Sequence, residues 1–399
     1  MKRRKFFTFI SLFGICFTLL ILIVLTALID DATLSGYPEN HRDRTLFVSQ
    51  LVIRTKDGAN MQNFLSPYFV KTYLKTLKVP EKVAFSSLMT TADTYTHDEK
   101  IRLYYKYTDA NFWDVTQYRF LEGKPYTQTN LDANDHVVVI TDAFRNKLFG
   151  KNQSATGKSF ELENVLYRII GVVKECSIVR FTLHSDVFIP YTLDRLGIKS
   201  TELYGNYLPM LLAKTPGEVA AMDAEFDEMV RRIKIPNQYY GKLYLNADTF
   251  LPSMTRFFSG AKSSGVNQFY TIIGVFLVAF MALPAVNLIN LNTSRIMERS
   301  SEIGIRKAFG ASNQTLVLQF LTENIFLTLV GGILALILAA GVLMLINASE
   351  LIPGSDLHIN WRVTLYALGL ILLFGVFSGV YPAWRMSRLQ IAAALKDGE

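Results

Sequence analysis

Cysteine is nearly absent from this 399-residue chain. Cys16 lies inside an apolar run and Cys176 in a polar block, so no disulfide framework is expected. Histidine is also scarce: His41, His97, His136, His184 and His358 are scattered without metal-ligand spacing. His97-Asp98-Glu99 lacks the His-Glu-x-x-His spacing that would put two imidazoles on one helix face. No nucleophile–base pair and no paired carboxylates stand out, so nothing points to an enzyme active site. Charge is sparse as well, with 19% Asp, Glu, Lys and Arg against 50% hydrophobic residues. That balance is unusual for a soluble protein of this size and fits a membrane protein.

The charge present is unevenly placed. Residues 30–268 hold 29 Lys/Arg against 27 Asp/Glu, an excess of 2 out of a net +7. The remaining excess flanks apolar runs, so the basic balance reads as membrane topology and not as nucleic-acid binding. Lys2-Arg-Arg-Lys5 precedes Phe6–Ile29, 24 residues without a charge. At 1.5 Å per residue this crosses a hydrocarbon core of about 30 Å with some tilt. A signal peptide is the rival reading, but the run is long for one, and neither an Ala-x-Ala site nor a lipoprotein-type small residue before Cys16 is present. Three further spans are expected at 269–291, 325–346 and 361–381, the last flanked by Trp361 and Tyr381. Pro284 is expected to kink the second, and Gly331, Gly332, Gly341, Gly375 and Gly379 suit close helix packing. Glu323 is expected at the interface near the third span's start.

Four spans put the N-terminus (1–5), the loop 292–315 and the tail 382–399 on the cytoplasmic side, where the cations cluster. The short loop 347–360, outside on this reading, has no Lys or Arg. The expected fold class is therefore a four-helix membrane protein with a large mixed α/β extracytoplasmic domain between spans 1 and 2. Within 30–268, Ile101, Leu103, Tyr105 and Tyr107 alternate with Arg102 and Lys106, predicting a half-buried strand. Further strands are expected at 137–140, 167–173 and 187–189. Helices are expected after Ser66-Pro67, carrying Tyr73, Leu74 and Leu77, and after Thr215-Pro-Gly-Glu218. A third runs from Thr141 to Gly150. Thr156-Gly-Lys-Ser159 looks like the end of a phosphate loop. The motif's first glycine, which four residues separate from Gly157-Lys158, is missing, however (Asn152 stands there), and a strand follows instead of a helix.

The most informative stretch is Ser294–Ser312, basic, amphipathic and punctuated by Gly304 and Gly310. Glu298-Arg-Ser-Ser-Glu-Ile-Gly-Ile-Arg-Lys-Ala-Phe-Gly-Ala-Ser312 resembles the cytoplasmic signature of the FtsX/MacB-type permeases of ABC systems, the type VII ABC transporters, with Phe309 for Leu. Tyr381-Pro-Ala-Trp-Arg-Met-Ser-Arg-Leu389 is similar to that family's closing motif. Leu148-Phe-Gly150, Gly157-Lys158 and Ile169-Ile-Gly-Val-Val173 resemble its ectodomain pattern. The chain departs from the family in its tail, Gln390-Ile-Ala-Ala-Ala-Leu395, and in having five residues before the first span.

The resemblance implies a MacB-like periplasmic domain and a bacterial inner-membrane permease with both termini cytoplasmic. Its coupling helix would present Glu298, Arg299, Glu302, Ile303, Gly304, Ile305, Arg306, Lys307 and Gly310 to an ATPase. Glu302 and Arg306 are spaced to pair on one helix face; Gly304 permits close approach, and Gly310 ends the helix in a left-handed conformation. The implied partners are a cytoplasmic ABC ATPase dimer, a second permease copy and a periplasmic adaptor. No cofactor is implied in this chain, ATP and Mg being held by the ATPase. The implied function is mechanotransmission, in which ATP-driven motion performs export or extraction in the periplasm. The alternative is a regulator of a cell-wall hydrolase acting by protein contact.

Overall fold

The computed structural model describes residues 2–96, 99–151, 153–234, 240–259, 263–298, 305–306, 309–349, 351–362, 364–366, 368–369, 372–373 and 376. The chain divides into two compact units. One comprises residues 1–30, 271–351 and 357–399; the other comprises 31–270 together with 352–356.

The membrane unit is built on long helices: α1 (Lys2–Thr33), which runs on into the second unit, α8 (Val266–Glu298), which begins there, and α9 (Asn313–Ser349). Among the described residues, two stretches are long and apolar enough to cross a membrane, Leu12–Thr33 and Leu321–Ser349, and Val266–Phe280 is a shorter apolar segment. The expected fourth span, 361–381, is helical at 361–362, 364–366, 368–369, 372–373 and 376 and otherwise lies outside the described residues. The helices outrun the apolar stretches: α8 passes through Pro284 and beyond 291, and α9 begins well before 325. Backbone hydrogen bonding does not stop where hydrophobicity does. Ile15, Cys16, Leu19, Leu22 and Ala335 form the packed seam. A Cβ on Gly331 would sit 2.9 Å from Ile15, and one on Gly332 2.9 Å from Leu368, the close approach that small residues permit. Gly274 and Gly341 face open space, and Gly375 and Gly379 lie outside the described residues.

The second unit is a mixed α/β domain. Its strands are β1 (Thr45–Phe47), β2 (Leu51–Thr55), β3 (Asn60–Leu65), β4 (Lys82–Ser87), β5 (Thr90–Thr96), β6 (Glu99–Thr108) and β7 (Phe120–Gly123). They continue with β8 (Val137–Thr141), β9 (Ser159–Leu162), β10 (Val165–Val173), β11 (Val187–Pro190), β12 (Tyr204–Gly205), β13 (Tyr207–Leu212) and β14 (Tyr240–Leu245). The main path runs β14-β2-β3-β13-β4-β6-β11-β8-β10-β7. β8 pairs parallel with β10 and β6 with β11, and the other pairings are antiparallel. Short helices connect these strands: α2 (Pro67–Thr72), α3 (Phe112–Thr116), α4 (Gln128–Asp132), α5 (Asp142–Phe149), α6 (Val219–Arg232) and α7 (Phe250–Ser259).

The centre of the sheet is covered on both faces. Val137 and Val139 join one buried cluster while Val138 and Ile140 join a second, as alternation along β8 requires. That explains the unbroken apolar runs of β8 and β11. It also corrects the reading of β6: its 102 position is exposed, but Lys106 is fully buried, its ammonium donating to the carbonyls of Phe181 (3.1 Å) and Thr182.

Local signals resolve unevenly. Thr141 accepts from the Phe144 amide at 3.3 Å and Gly150, at φ +88, ends α5 as expected. Ser66 accepts from Phe69 at 3.0 Å, but α2 stops at Thr72 and Leu74 sits in a separate 3-10 turn. Thr215 makes no side-chain cap; a 3-10 turn (Pro216–Glu218) precedes α6, whose Met222 and Phe226 are buried. The phosphate-loop lookalike is a turn into β9. Its Gly157 and Lys158 amides already donate to Ile169 and Ala155.

Candidate functional site

Glu298 ends α8. Arg299, Glu302, Ile303, Gly304 and Lys307 lie outside the described residues, so the expected Glu302–Arg306 pair does too. The described remainder is a single helical turn at Ile305 and Arg306, closed by Phe309 and Ala311 amides donating to their carbonyls at 3.1 and 3.0 Å. Gly310, at φ +88, follows, a backbone region open to glycine at little cost. Arg306 donates to Gln319 at 2.8 Å, tying the turn to the start of α9, which Ser312 caps through the Thr315 amide at 3.2 Å. Ile305 is 52% and Phe309 88% exposed. Both apolar side chains therefore stand uncovered beside a basic segment.

Sequence reasoning missed a second constellation, where α1 ends. The last turn of α1 leaves carbonyls without intrahelical partners. Arg42 fills two of them, donating to Thr33 O at 2.7 Å and Leu34 O at 2.8 Å. Arg180, from the far side of the domain sequence, reaches Leu34 O at 3.2 Å. Both guanidiniums converge on Glu39. Arg42 pairs with it through Nε and Nη2, and Arg180 lies 3.6 Å from it and 4.0 Å from Asp31. Arg42, Arg180 and Glu39 are all nearly buried. The Arg42 guanidinium also stacks 3.5 Å over the Phe250 ring, at the start of α7. Burial pulls the Arg42 pKa down while Glu39 pulls it back up. Two cations at a helix C-terminus also oppose the negative end of its dipole. Arg42 lies close behind the apolar run, which is a weak cue, but nothing in sequence distinguishes Arg180 among the domain's cations.

Residues 352–356 form a second junction, because they cluster with the ectodomain. Pro353 O accepts from the Ile178 amide at 3.0 Å, and Gly354, at φ +67, leaves its Cβ position only 2.4 Å from Cys176 O. Only glycine fits there, and residues 352–356 of the short loop thereby belong to the second unit.

The chain matches two family models. The MacB-like periplasmic core domain covers residues 8–228, and the FtsX-like permease C-terminal model covers 274–391. The first alone spans more than half of the chain. This chain belongs to the FtsX/MacB-type ABC transporter permease family. The permease is similar to the pyoverdine export ATP-binding/permease protein PvdT of Pseudomonas savastanoi, at 26% identity over 292 residues. That covers 72% of this chain and 42% of the relative, so the chain spans less than half of that protein's length. It is 25% identical to the uncharacterized ABC transporter permease YknZ of Bacillus subtilis, over 74% of this chain and 72% of YknZ. Among solved structures, a domain of a permease protein from Porphyromonas gingivalis is similar over 54% of this chain and 92% of its own, with 15% identity and a TM-score of 0.42. The periplasmic region of MacB from Actinobacillus actinomycetemcomitans covers 55% of this chain and 95% of its own, with 13% identity and a TM-score of 0.38. The permease is thus a membrane protein with a large extracytoplasmic α/β domain, and ABC export is the setting in which relatives such as PvdT are named.

Proposed function

We propose that this permease converts the ATP-driven motion of a separate cytoplasmic ATPase dimer into export or extraction of a substrate outside the membrane. It sits in the bacterial inner membrane with four spans, both termini and residues 292–315 inside, and two permease chains form the working unit. One chain offers one coupling segment, whereas an ATPase dimer has two grooves to fill. The observation that carries the reading is the clamp at the end of α1. A helix of 32 residues, about 48 Å long, is stiff along its axis, and its last turn is held by buried arginines as part of the ectodomain. On this reading the arginine-held turn is where motion of α1 enters the ectodomain, and the loop pinned at Pro353 and Gly354 is a second such point. The hydrolase-regulator alternative has no observation in its favour among the relatives described above.

The test uses the full chain with the ATPase that co-purifies with it, in lipid nanodiscs. Gly304→Trp should cut ATPase co-purification at least tenfold while membrane insertion and the ectodomain melting temperature stay unchanged. Undiminished ATPase association together with undiminished export would refute the coupling role of 294–312. Cross-linking in native membranes that found one permease beside an ATPase dimer would refute the stoichiometry.

A further inference from the structure

An open cleft of about 660 Å³ lies on the ectodomain, away from the α1 clamp and sharing none of its residues. That is the size of a site for one drug-sized molecule. Tyr105 and Tyr107 stand two residues apart on β6, so both rings face the same way, and they meet edge to face at 5.6 Å. Tyr167 enters from β10, and its ring lies 5.9 Å from that of His136. The cleft is therefore lined by three phenol rings, with His136 at its edge.

Two carboxylates stand over this aromatic surface. Glu163 accepts from the Tyr105 hydroxyl at 3.3 Å. Asp194 accepts from Tyr207 at 2.6 Å and from the Gly197 amide at 3.0 Å, which fixes it at the cleft wall. Arg195, exposed, is the one guanidinium in the lining, so the carboxylates outnumber the fixed cations. Burial pushes the Tyr105 hydroxyl up to about 12, with the Glu163 charge adding to it, so the phenol stays a donor across the physiological range.

Glu163 and Asn164 form the two-residue turn between β9 and β10, at φ +51 and +63. A hairpin turn of this type requires positive φ at both positions, so the hairpin itself accounts for the backbone, and it carries Glu163 to the wall of the cleft. In the same wall the Thr192 hydroxyl is buried with no hydrogen-bond partner among the described residues.

We propose that this cleft is a binding site for an organic cation with an aromatic body, its ring laid on Tyr107, which is half-buried where Tyr105 and Tyr167 are buried, and its ammonium held by Glu163 and Asp194. Tyrosine faces attract cations through the ring quadrupole, and carboxylates beside them add direct charge pairing. The assignment rests on the export reading only in making this ligand a substrate; the binding itself needs no ATPase.

The experiment is calorimetric titration of the full chain in lipid nanodiscs, with empty nanodiscs subtracted. The probes are tryptamine and indole-3-propionate, which share a ring and differ in the sign of their charge. Tryptamine should bind at least tenfold more tightly. Glu163→Gln should weaken tryptamine roughly three- to tenfold while leaving indole-3-propionate unchanged or stronger. Tyr107→Leu, which keeps apolar bulk but removes the ring, should weaken it by a similar factor. Glu228→Gln, on the exposed face of α6, should leave it unchanged. Equal binding of both probes, no binding of either, or indifference of tryptamine to Glu163→Gln and Tyr107→Leu would overturn the proposal. Selective binding alongside a failed Gly304→Trp test would leave the cleft standing and remove the coupling role of 294–312; the opposite pair of results would do the reverse.

Discussion

Replacing Arg42 by Ala removes one group that satisfies four partners. The guanidinium donates to Glu39 through two nitrogens and to Thr33 and Leu34 carbonyls at 2.7 and 2.8 Å, and it stacks on Phe250. Its side chain is 6% exposed and that of Glu39 5%, so water cannot readily take its place. Breaking a buried ion pair by deleting one partner costs roughly 3–5 kcal/mol. Orphaning two helix-end carbonyls adds about 1–3 kcal/mol each when they stay dry. Arg180, already 3.6 Å from Glu39 and bonded to Leu34 O, recovers part of both losses. A net destabilisation of about 4 kcal/mol is expected. For a domain of this size, each kcal/mol lowers the melting temperature by about 2–4 °C, giving a fall of about 8–16 °C. The chain carries its own reporter. Cys176 is buried and its thiol is pushed up to about 12 by burial, so it labels only when the ectodomain opens. With Cys16 replaced by Ala, thiol labelling during a thermal ramp reads unfolding of the ectodomain alone. The double variant Glu39→Met with Arg42→Met should regain only part of the loss, because the Glu39 carboxylate is no longer stranded but Arg180 keeps only Asp31 at 4.0 Å and the Arg42 donation to Thr33 and Leu34 is still gone. A melting temperature for Arg42→Ala within about 2 °C of the parent would refute the clamp.

Three other outcomes follow from the same packing. Burial pushes the Lys106 ammonium down to about 7, so between pH 7 and 9 the unfolded chain binds more protons than the folded one and stability rises with pH. Asp109, pushed by burial up to about 7, acts in the opposite sense and only below that pH. The parent should gain about 2 kcal/mol over pH 7–9, seen as a melting temperature about 4–8 °C higher, and Lys106→Met should abolish the gain. Gly123→Ala should cost about 3 kcal/mol or more, because φ is +65 and the new Cβ would lie 2.0 Å from Ile170 O. Gly58→Ala, at φ +92 with open space around it, should cost only about 1 kcal/mol, both read from melting curves. Cysteines at Glu228 and Leu351 should react with a membrane-impermeant thiol reagent in cells with a permeabilised outer membrane, and cysteines at Ser301 and Lys396 should not. Labelling at 301 from outside would overturn the topology.

The legible parts are those where one residue or one period is enough. Apolar runs bounded by cations marked the helices of the membrane unit, since a hydrocarbon core imposes a length on any sequence crossing it. The strands at 137–140 and 187–189 were visible as unbroken apolar runs, and Thr141 with Gly150 bounded α5 through local backbone geometry. The charged signature at 294–312 named the family before any fold was seen, and the family models agree with it. Most of the remaining strands escaped notice: β1, β12 and β13 are short or interrupted and owe their state to partners distant in sequence. Period alone puts Lys106 on the solvent side of β6, because alternation cannot tell that a second layer covers that face.

Sequence alone determines which segments are apolar enough for lipid, where the cations cluster, and which short motif marks the family, because each is written in a contiguous stretch of residues. Long-range geometry settles the rest. Arg180 reaches the end of α1 across 146 residues of sequence to Leu34, Gly354 closes against Cys176, and Glu163 meets Tyr105 from a separate hairpin. Contacts of that kind depend on how the strands are ordered in the sheet, and the ordering is fixed by packing both faces of one core at once.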